Sequence, residues 1–413
     1  MKSVLLVAAA AWVSACSVPA EAIDLVEAWD LARKHDPQFQ AARAERDINL
    51  ATASQSLAAY LPQAQYQMTN LPQENLTRQV VTVTQPIISV DRYALLRQRA
   101  PRKDFAEATF DVREQNLAQR TLKAVIDLIR STESLRLNVA KIDALREQSQ
   151  RAEKLYQAGQ GTLTDARDIA VRYEQAQANQ VILESEQGAA ANRFEALTGV
   201  KADPAEFRLP EQHASVPLND AETYLAALRE SNPQIRAAID AERIGRLDVL
   251  RARGSVLPTV GFSASYSRAG GNDNSFVGLS ITAPLNAGGI FQVRAASAAA
   301  RRSSEERRQT QERTRVDFER LYSLVQGGQR SLASTRRAVE AGELSVEANK
   351  KSYEGGVRSN VDVVNSIQVL FEVKNQYVVS ATNVAENLLD MQLLAATDPR
   401  VALATTQSFL FRR

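Results

Sequence analysis

Histidine and cysteine, two residue types that carry much enzyme chemistry, are nearly absent from this chain. Its 413 residues include two histidines, His35 and His213, and one cysteine, Cys16. Neither histidine stands at ligand spacing from another metal-binding type, so a metal site is not expected. With a single cysteine, no intrachain disulfide can form. Gly159-Gln160-Gly161 follows no strand and lacks the third glycine and the Lys-Ser/Thr pair of a phosphate loop. No nucleophile, base and acid can be assembled from such a set, so neither catalysis nor a cofactor is expected. The 50 basic and 48 acidic residues leave a net charge of +2. A nucleic-acid binder would show a basic surplus or stripe, so nucleic acid is excluded as a partner.

Two turns remain as places where polar side chains gather. One runs from Tyr156 through Gly159 to Thr164 and Asp165; the other is Tyr353-Glu354-Gly355-Gly356-Val357-Arg358-Ser359-Asn360-Val361-Asp362. Taken alone, each reads as a helical hairpin turn, with glycine for the left-handed residue and Asp, Thr or Asn as the cap of the next helix.

The elements that position these turns are duplicated. Asp36-Pro37 precedes Leu61-Pro62, and Asn232-Pro233 precedes Leu257-Pro258, with 25 residues between the prolines in both copies and an offset of 196. Thr84-Gln85-Pro86 and Thr282-Ala283-Pro284 follow at an offset of 198, and the two turns at 197. Four landmarks in one order at near-constant offset indicate two copies of one unit, far longer than a solenoid repeat. The first copy spans 23–198 and the second 219–396, joined by the breaker-rich segment 199–218 with Pro204, Pro210 and Pro217. Residues 397–413 read as a C-terminal tail.

Each unit opens with a helical stretch, capped at Asp24 or Asn219 and broken at the Asp-Pro or Asn-Pro step, because the residue before proline avoids the α region. The period then changes to two. Val260, Phe262, Ala264 and Tyr266 alternate with Gly261, Ser263, Ser265 and Ser267; Val277, Leu279 and Ile281 alternate with Gly278, Ser280 and Thr282. One apolar and one small polar face suit strands set between lipid and a wet interior. The hairpins are expected over 62–89 and 259–284, the first with less clean alternation. Long helices follow over 91–155 and 288–353, each about 100 Å at 1.5 Å per residue. Phe318, Val325, Leu332, Val339, Val346 and Tyr353 recur every seven residues, as do Leu128, Leu135 and Ile142. So narrow a seam on a polar helix fits coiled-coil packing around water. Returning helices are expected over 164–197 and 361–395, capped by Thr164 or Asp165 and by Asn360.

The N-terminus carries Met1-Lys2, an apolar run from Val4 to Ala15, and small residues to Ala22. This reads as an export signal over 1–22. Val13-Ser14-Ala15-Cys16 offers a second reading, a lipobox with Cys16 lipidated. No later apolar run is long enough for a membrane-spanning helix.

Helix, hairpin, long helix, turn and returning helix, twice in one exported chain, resembles the TolC family of outer-membrane efflux and secretion channels, over about 23–396. The resemblance implies a mainly α protomer with β strands, in which three copies build a long coiled-coil α-barrel and one 12-stranded transmembrane β-barrel in outer-membrane lipid, four strands from each. It also implies a periplasmic adaptor (membrane fusion) protein and an inner-membrane transporter of the ABC or RND type as partners. The tip turns would close the entrance: Tyr353 and Arg358 in polar links, with Thr164, Asp165 and Gln148 as their partners, and Asp362 in a carboxylate ring on the threefold axis. The family's second aspartate, one turn on, is Asn365 here, so three carboxylates are expected at the constriction instead of six. A competing reading is a soluble periplasmic coiled-coil adaptor, which needs no alternating hairpins.

Overall fold

The computed structural model describes residues 24–71, 76–210, 213, 215–284 and 288–411. Residues 1–22, read above as an export signal and including Cys16, lie outside the described residues. Among these, α1 (Leu25–His35) and α2 (Pro37–Gln55) lead into β1 (Gln63–Leu71) and β2 (Leu76–Ile88). Next come α3 (Val90–Arg97), α4 (Arg99–Gln157) and α5 (Leu163–Thr198). The second copy supplies α6 (Ala221–Ser231), α7 (Pro233–Gly254), β3 (Thr259–Ala269), β4 (Asn272–Thr282), α8 (Gly288–Glu354) and α9 (Asn360–Leu394); α10 (Pro399–Leu410) ends the chain.

The proline steps act as the sequence implies. Asp36 ends α1 in an extended conformation, and its side chain accepts from Phe39 N at 3.0 Å, with Pro37 at the first position of α2. Asn232 does the same for α7, accepting from Gln234 N and Ile235 N. A missing N–H costs nothing at the first turn, where it has no intrahelical acceptor. Two prolines have effects that were not anticipated. Pro101 sits in the first turn of α4, and the stretch expected as one helix over 91–155 divides at Gln98. Proline offers no N–H to the carbonyl of Arg97 and its ring crowds that carbonyl. Gln98 is fully buried at the joint, and its amide donates to Asp248 Oδ1 at 2.7 Å. Asp398-Pro399 starts a genuine helix, α10, in the segment read as a tail.

The caps also differ in detail. Thr162, not Thr164 or Asp165, caps α5, and Ser359, not Asn360, caps α9. The N-cap of α6 is Asp220 in place of Asn219, and its side chain makes no capping bond.

The four strands form one open antiparallel sheet in the order β1-β2-β3-β4, so the hairpins of the two copies join through β2 and β3. The register places Tyr66, Val81, Tyr266 and Ser275 in one row across the sheet, and Val83, Ala264 and Val277 in the next. One face therefore gathers most of the apolar residues of the four strands. Val277, Leu279 and Ile281 on it are 67%, 69% and 73% exposed. The other face presents mainly glutamines, serines and threonines, with Val80 and Phe276 among them. β1 and β4 are the free edges.

The main core lies at mid-length. Leu25, Trp29 and Phe39 meet Leu122, Ile126 and Ile129 of α4, Phe194 of α5, Phe318 and Val325 of α8, Leu388 of α9, and Leu403 and Phe409 of α10. Of the α8 heptad stripe, Phe318, Val325 and Leu332 are buried, while Val339, Val346 and Tyr353 stay partly open in the single chain. A smaller cluster toward the tip joins Ile142 and Leu145 with Ala166, Ile169 and Val364.

Candidate functional site

The tip is built by two hairpin turns, and each depends on one left-handed glycine. Gly159 and Gly356, 197 residues apart, both have φ of +73°. At the end of α8, Gly356 N donates to Tyr353 O at 3.0 Å and Val357 N to Ser352 O at 2.9 Å, which satisfies the last carbonyls of the helix. Gly355 keeps negative φ and continues the helical bonding to Lys351 O.

Asp362 is the third residue of α9 and closes a capping box. Its Oδ2 accepts from Ser359 N at 3.0 Å and from Ser359 Oγ at 2.9 Å, while Asp362 N donates back to Ser359 Oγ at 3.2 Å. The Ser359 hydroxyl and amide, assisted by the charge of Arg358, hold the Asp362 carboxyl below the usual carboxylate range. Oδ1 makes no hydrogen bond among the described residues. A charged oxygen is thus left half-exposed at the extreme end of the hairpin. Asn365, one turn on, is exposed, as are Arg358 and Thr164; Asp165 is half-exposed. Asp165 N donates to Thr162 Oγ1 at 3.1 Å, which fixes the start of α5.

The expected partners of Tyr353 are not those it meets within the chain. The Arg151 guanidinium of α4 lies 5.0 Å from the Tyr353 ring centre, and the same arginine pairs with Glu354 at 3.4 Å. One turn away Lys350 pairs with Glu147 at 3.9 Å. Two crossed ion pairs and a cation–π contact therefore tie the end of α8 to α4. Sequence reasoning missed Arg151, Glu354, Glu147 and Lys350. The signal was the opposite sign order, Glu-Arg on α4 against Lys-Glu on α8, each four residues apart. Gln148 turns elsewhere. It is 1% exposed, and its backbone carbonyl accepts from Asn360 Nδ2 at 3.4 Å. The side-chain oxygens of both Gln148 and Asn360 are buried without a hydrogen-bond partner among the described residues.

Exposed ion pairs are individually weak, about 0–1 kcal/mol. Their arrangement gives the expectation that Arg151→Glu, which sets a carboxylate against Glu354, loosens the tip. With the tip closing a channel entrance, as the resemblance implies, single-channel conductance should rise in Arg151→Glu and return toward wild type in Arg151→Glu/Glu354→Arg. An unchanged conductance in the single variant would show that the pair holds nothing shut.

The sequence profile of the family described as "Outer membrane efflux protein" matches residues 28–200 and again 225–397, one match for each copy. The proteases secretion protein PrtF of Dickeya chrysanthemi is 28% identical, over 91% of this chain and 91% of that protein. The alkaline protease secretion protein AprF of Pseudomonas aeruginosa is 25% identical, over 86% and 80%. Among solved structures, the outer membrane protein VceC of Vibrio cholerae superposes with a TM-score of 0.75 at 17% identity, covering 90% of this chain and 96% of that one.

Proposed function

Because this chain belongs to the TolC-type outer membrane efflux protein family, we propose that it is the outer-membrane conduit of a protein-secretion machine. It is a channel of the outer membrane that exports its substrate, and not an enzyme. The observation that carries the reading is the sheet: apolar on one face, polar on the other, open at both edges and mounted on helices as long as the 67-residue α8. An open edge cannot face hydrocarbon, since each unpaired backbone group there costs several kcal/mol. Three copies joined β4 to β1 close it as twelve strands, the apolar faces toward lipid. A soluble adaptor would leave Val277, Leu279 and Ile281 in water without reason.

In this reading, the copies 23–198 and 219–396 each give one hairpin to the barrel and one helix pair to the tunnel, and 199–218 crosses between them outside. Residues 1–22 direct export. The two relatives named for protease secretion favour a polypeptide substrate, delivered by a periplasmic adaptor and an inner-membrane transporter of the ABC type in preference to the RND type. At the tip, Asp362 of each copy supplies one of three carboxylates around the axis. Arg358 and Thr164 stand exposed and Asp165 half-exposed, where a neighbouring copy can meet them.

Planar-bilayer recording of detergent-purified protein tests this. Wild type should give small, cation-preferring channels. Asp362→Ala should remove the preference, and Arg358→Ser should enlarge the openings. Because the Asp362 carboxyl is held low, the preference should persist as pH falls through the usual carboxylate range and vanish only below it. Channels indifferent to both variants would remove the gate from this tip. Protein soluble without detergent, and no channels, would remove the conduit.

A further inference from the structure

The four strands hold three charged residues: Arg78, Arg268 and Asp273. Two of them cancel. Arg268 and Asp273 are direct cross-strand partners, with Nε–Oδ1 at 2.8 Å and Nη2–Oδ2 at 3.0 Å, and the Tyr266 hydroxyl donates to Asp273 Oδ2 at 2.7 Å. They share the face of Phe262 and Leu279, near the hairpin end. A neutralised pair beside a tyrosine is a membrane-interface arrangement.

Arg78 differs in both respects. It pairs with Ala269 on β3 and with Thr69 on β1, and so stands on the opposite, polar face. Every other described residue of that face is uncharged. Arg78 is exposed and has no ion pair or hydrogen bond from its side chain among the described residues. It lies three residues past the β1–β2 turn, at the end of the sheet farthest from the helices.

We infer that Arg78, one from each of three copies, forms a ring of positive charge at the outer mouth of the pore that attracts and briefly holds oxyanions. The inference rests on the closed-barrel reading above. Strands about 4.8 Å apart and tilted about 40° give twelve strands a circumference of about 75 Å and a diameter of about 24 Å. Arginine arms reaching inward from that wall leave an anion on the axis within about one screening length at 0.15 M salt, about 8 Å. At 0.01 M the screening length is about 30 Å and the three charges act together; at 1 M it is about 3 Å and they do not. The pore thus carries carboxylates at the periplasmic tip and guanidiniums at the mouth. Below the mouth, the rest of that sheet face, mostly glutamine, serine and threonine, carries no other charge among the described residues. A passing chain rich in carboxylates meets this attraction at the exit.

The test uses inositol hexakisphosphate added to the mouth side of channels in a planar bilayer. In 0.05 M KCl it should block wild type, and 1 M KCl should relieve the block. Arg78→Gln should raise the half-blocking concentration at least tenfold, and Arg78→Lys should keep it near wild type. Glu74 stands between β1 and β2 in the sequence, outside the described residues, and Glu74→Gln should not weaken the block. If Arg78→Gln fails to insert, Arg78→Cys serves: block should be absent and should appear when a cationic methanethiosulfonate modifies the inserted channel. Wild-type channels that ignore the polyanion, or an Arg78→Gln channel blocked as wild type, would overturn the ring while leaving the conduit intact. Absence of any wild-type channel would instead sink the conduit reading.

Discussion

Gly254→Val should abolish insertion of the protein into the outer membrane, while Ala58→Val, at the matching place in the first copy, should leave it near wild type. Gly254 is the last residue of α7 and is buried against the start of α3. A Cβ there would overlap the backbone nitrogen of Asp91 and come within 2.7 Å of the Val90 carbonyl carbon and 2.9 Å of the Asp91 Cα. These are backbone atoms, so no rotamer change makes room. The Asp91 carboxylate is also bound by Arg251 at 3.2 Å, which fixes the crossing from the other side. Overpacking usually costs about 1–3 kcal/mol, occasionally more. An immovable contact belongs at or above the top of that range. The location multiplies the consequence. One residue, Ser89, separates Val90 from β2, and four residues separate Gly254 from β3, so parting α3 from α7 pulls apart the two strands that join the copies. Ala58 already carries a Cβ and is exposed in a short 3-10 turn. Membrane fractionation with thermal unfolding followed by circular dichroism would compare the pair. Equal behaviour of Gly254→Val and wild type would mean that α3 and α7 do not cross so closely.

That asymmetry between copies marks where the sequence stops being informative. The duplication, the proline breaks after Asp36 and Asn232 and the alternating strands were legible because each is local: a fixed φ, a missing N–H, a period of two. The β-hairpin register follows from the same alternation, since a one-residue slip would invert the faces. The break at Gln98 was equally local, carried by Pro101, and so was α10, announced by Asp398-Pro399 in the same way as Asp36-Pro37. Both signals were in plain view and were outweighed by the apparent continuity of a long helix and the shortness of a tail. The partners of Tyr353 were of another kind. Arg151 lies 202 residues earlier, and its meeting with Tyr353 depends on the stagger of α4 against α8. No period within one helix encodes that stagger. The buried Gln148 carbonyl bonded to Asn360, and the joining of β2 with β3, depend likewise on how the two copies dock.

The docking of the first helices shows the same divergence, and it predicts a stability difference. Asp36 and Asn232 occupy equivalent positions and cap equivalent helices. Asn232 is neutral, and its amide donates to Leu394 O at 2.8 Å at the end of α9. Asp36 instead binds Arg120 of α4 at 2.6 Å and is 5% exposed. Burial alone would raise its carboxyl, but the hydrogen bond and charge of Arg120, with the amides of Phe39 and Gln38, outweigh burial and hold it below the usual range. Asp36→Ala removes the cap, worth about 1 kcal/mol. It also leaves Arg120 without its carboxylate, though still bonded to Asn116; breaking a fully buried pair costs about 3–5 kcal/mol, and less applies here because the Arg120 side chain is 30% exposed. A total near 3 kcal/mol is therefore expected. Asp36→Asn keeps the capping oxygen and should lose less. The pH response separates the terms. A carboxyl with lowered folded pKa contributes its full stability above the unfolded value, near 4, and loses it as pH falls through the folded value. Wild type should therefore show a falling melting temperature across that acidic window, and both Asp36→Asn and Asp36→Ala should show a smaller fall. Melting curves of the detergent-solubilised protein from pH 7 down to pH 3 would decide it. Parallel curves for wild type and Asp36→Asn would mean that the Arg120 pair contributes nothing to folding, and that the cap alone explains why an acid or an amide stands before each of these prolines.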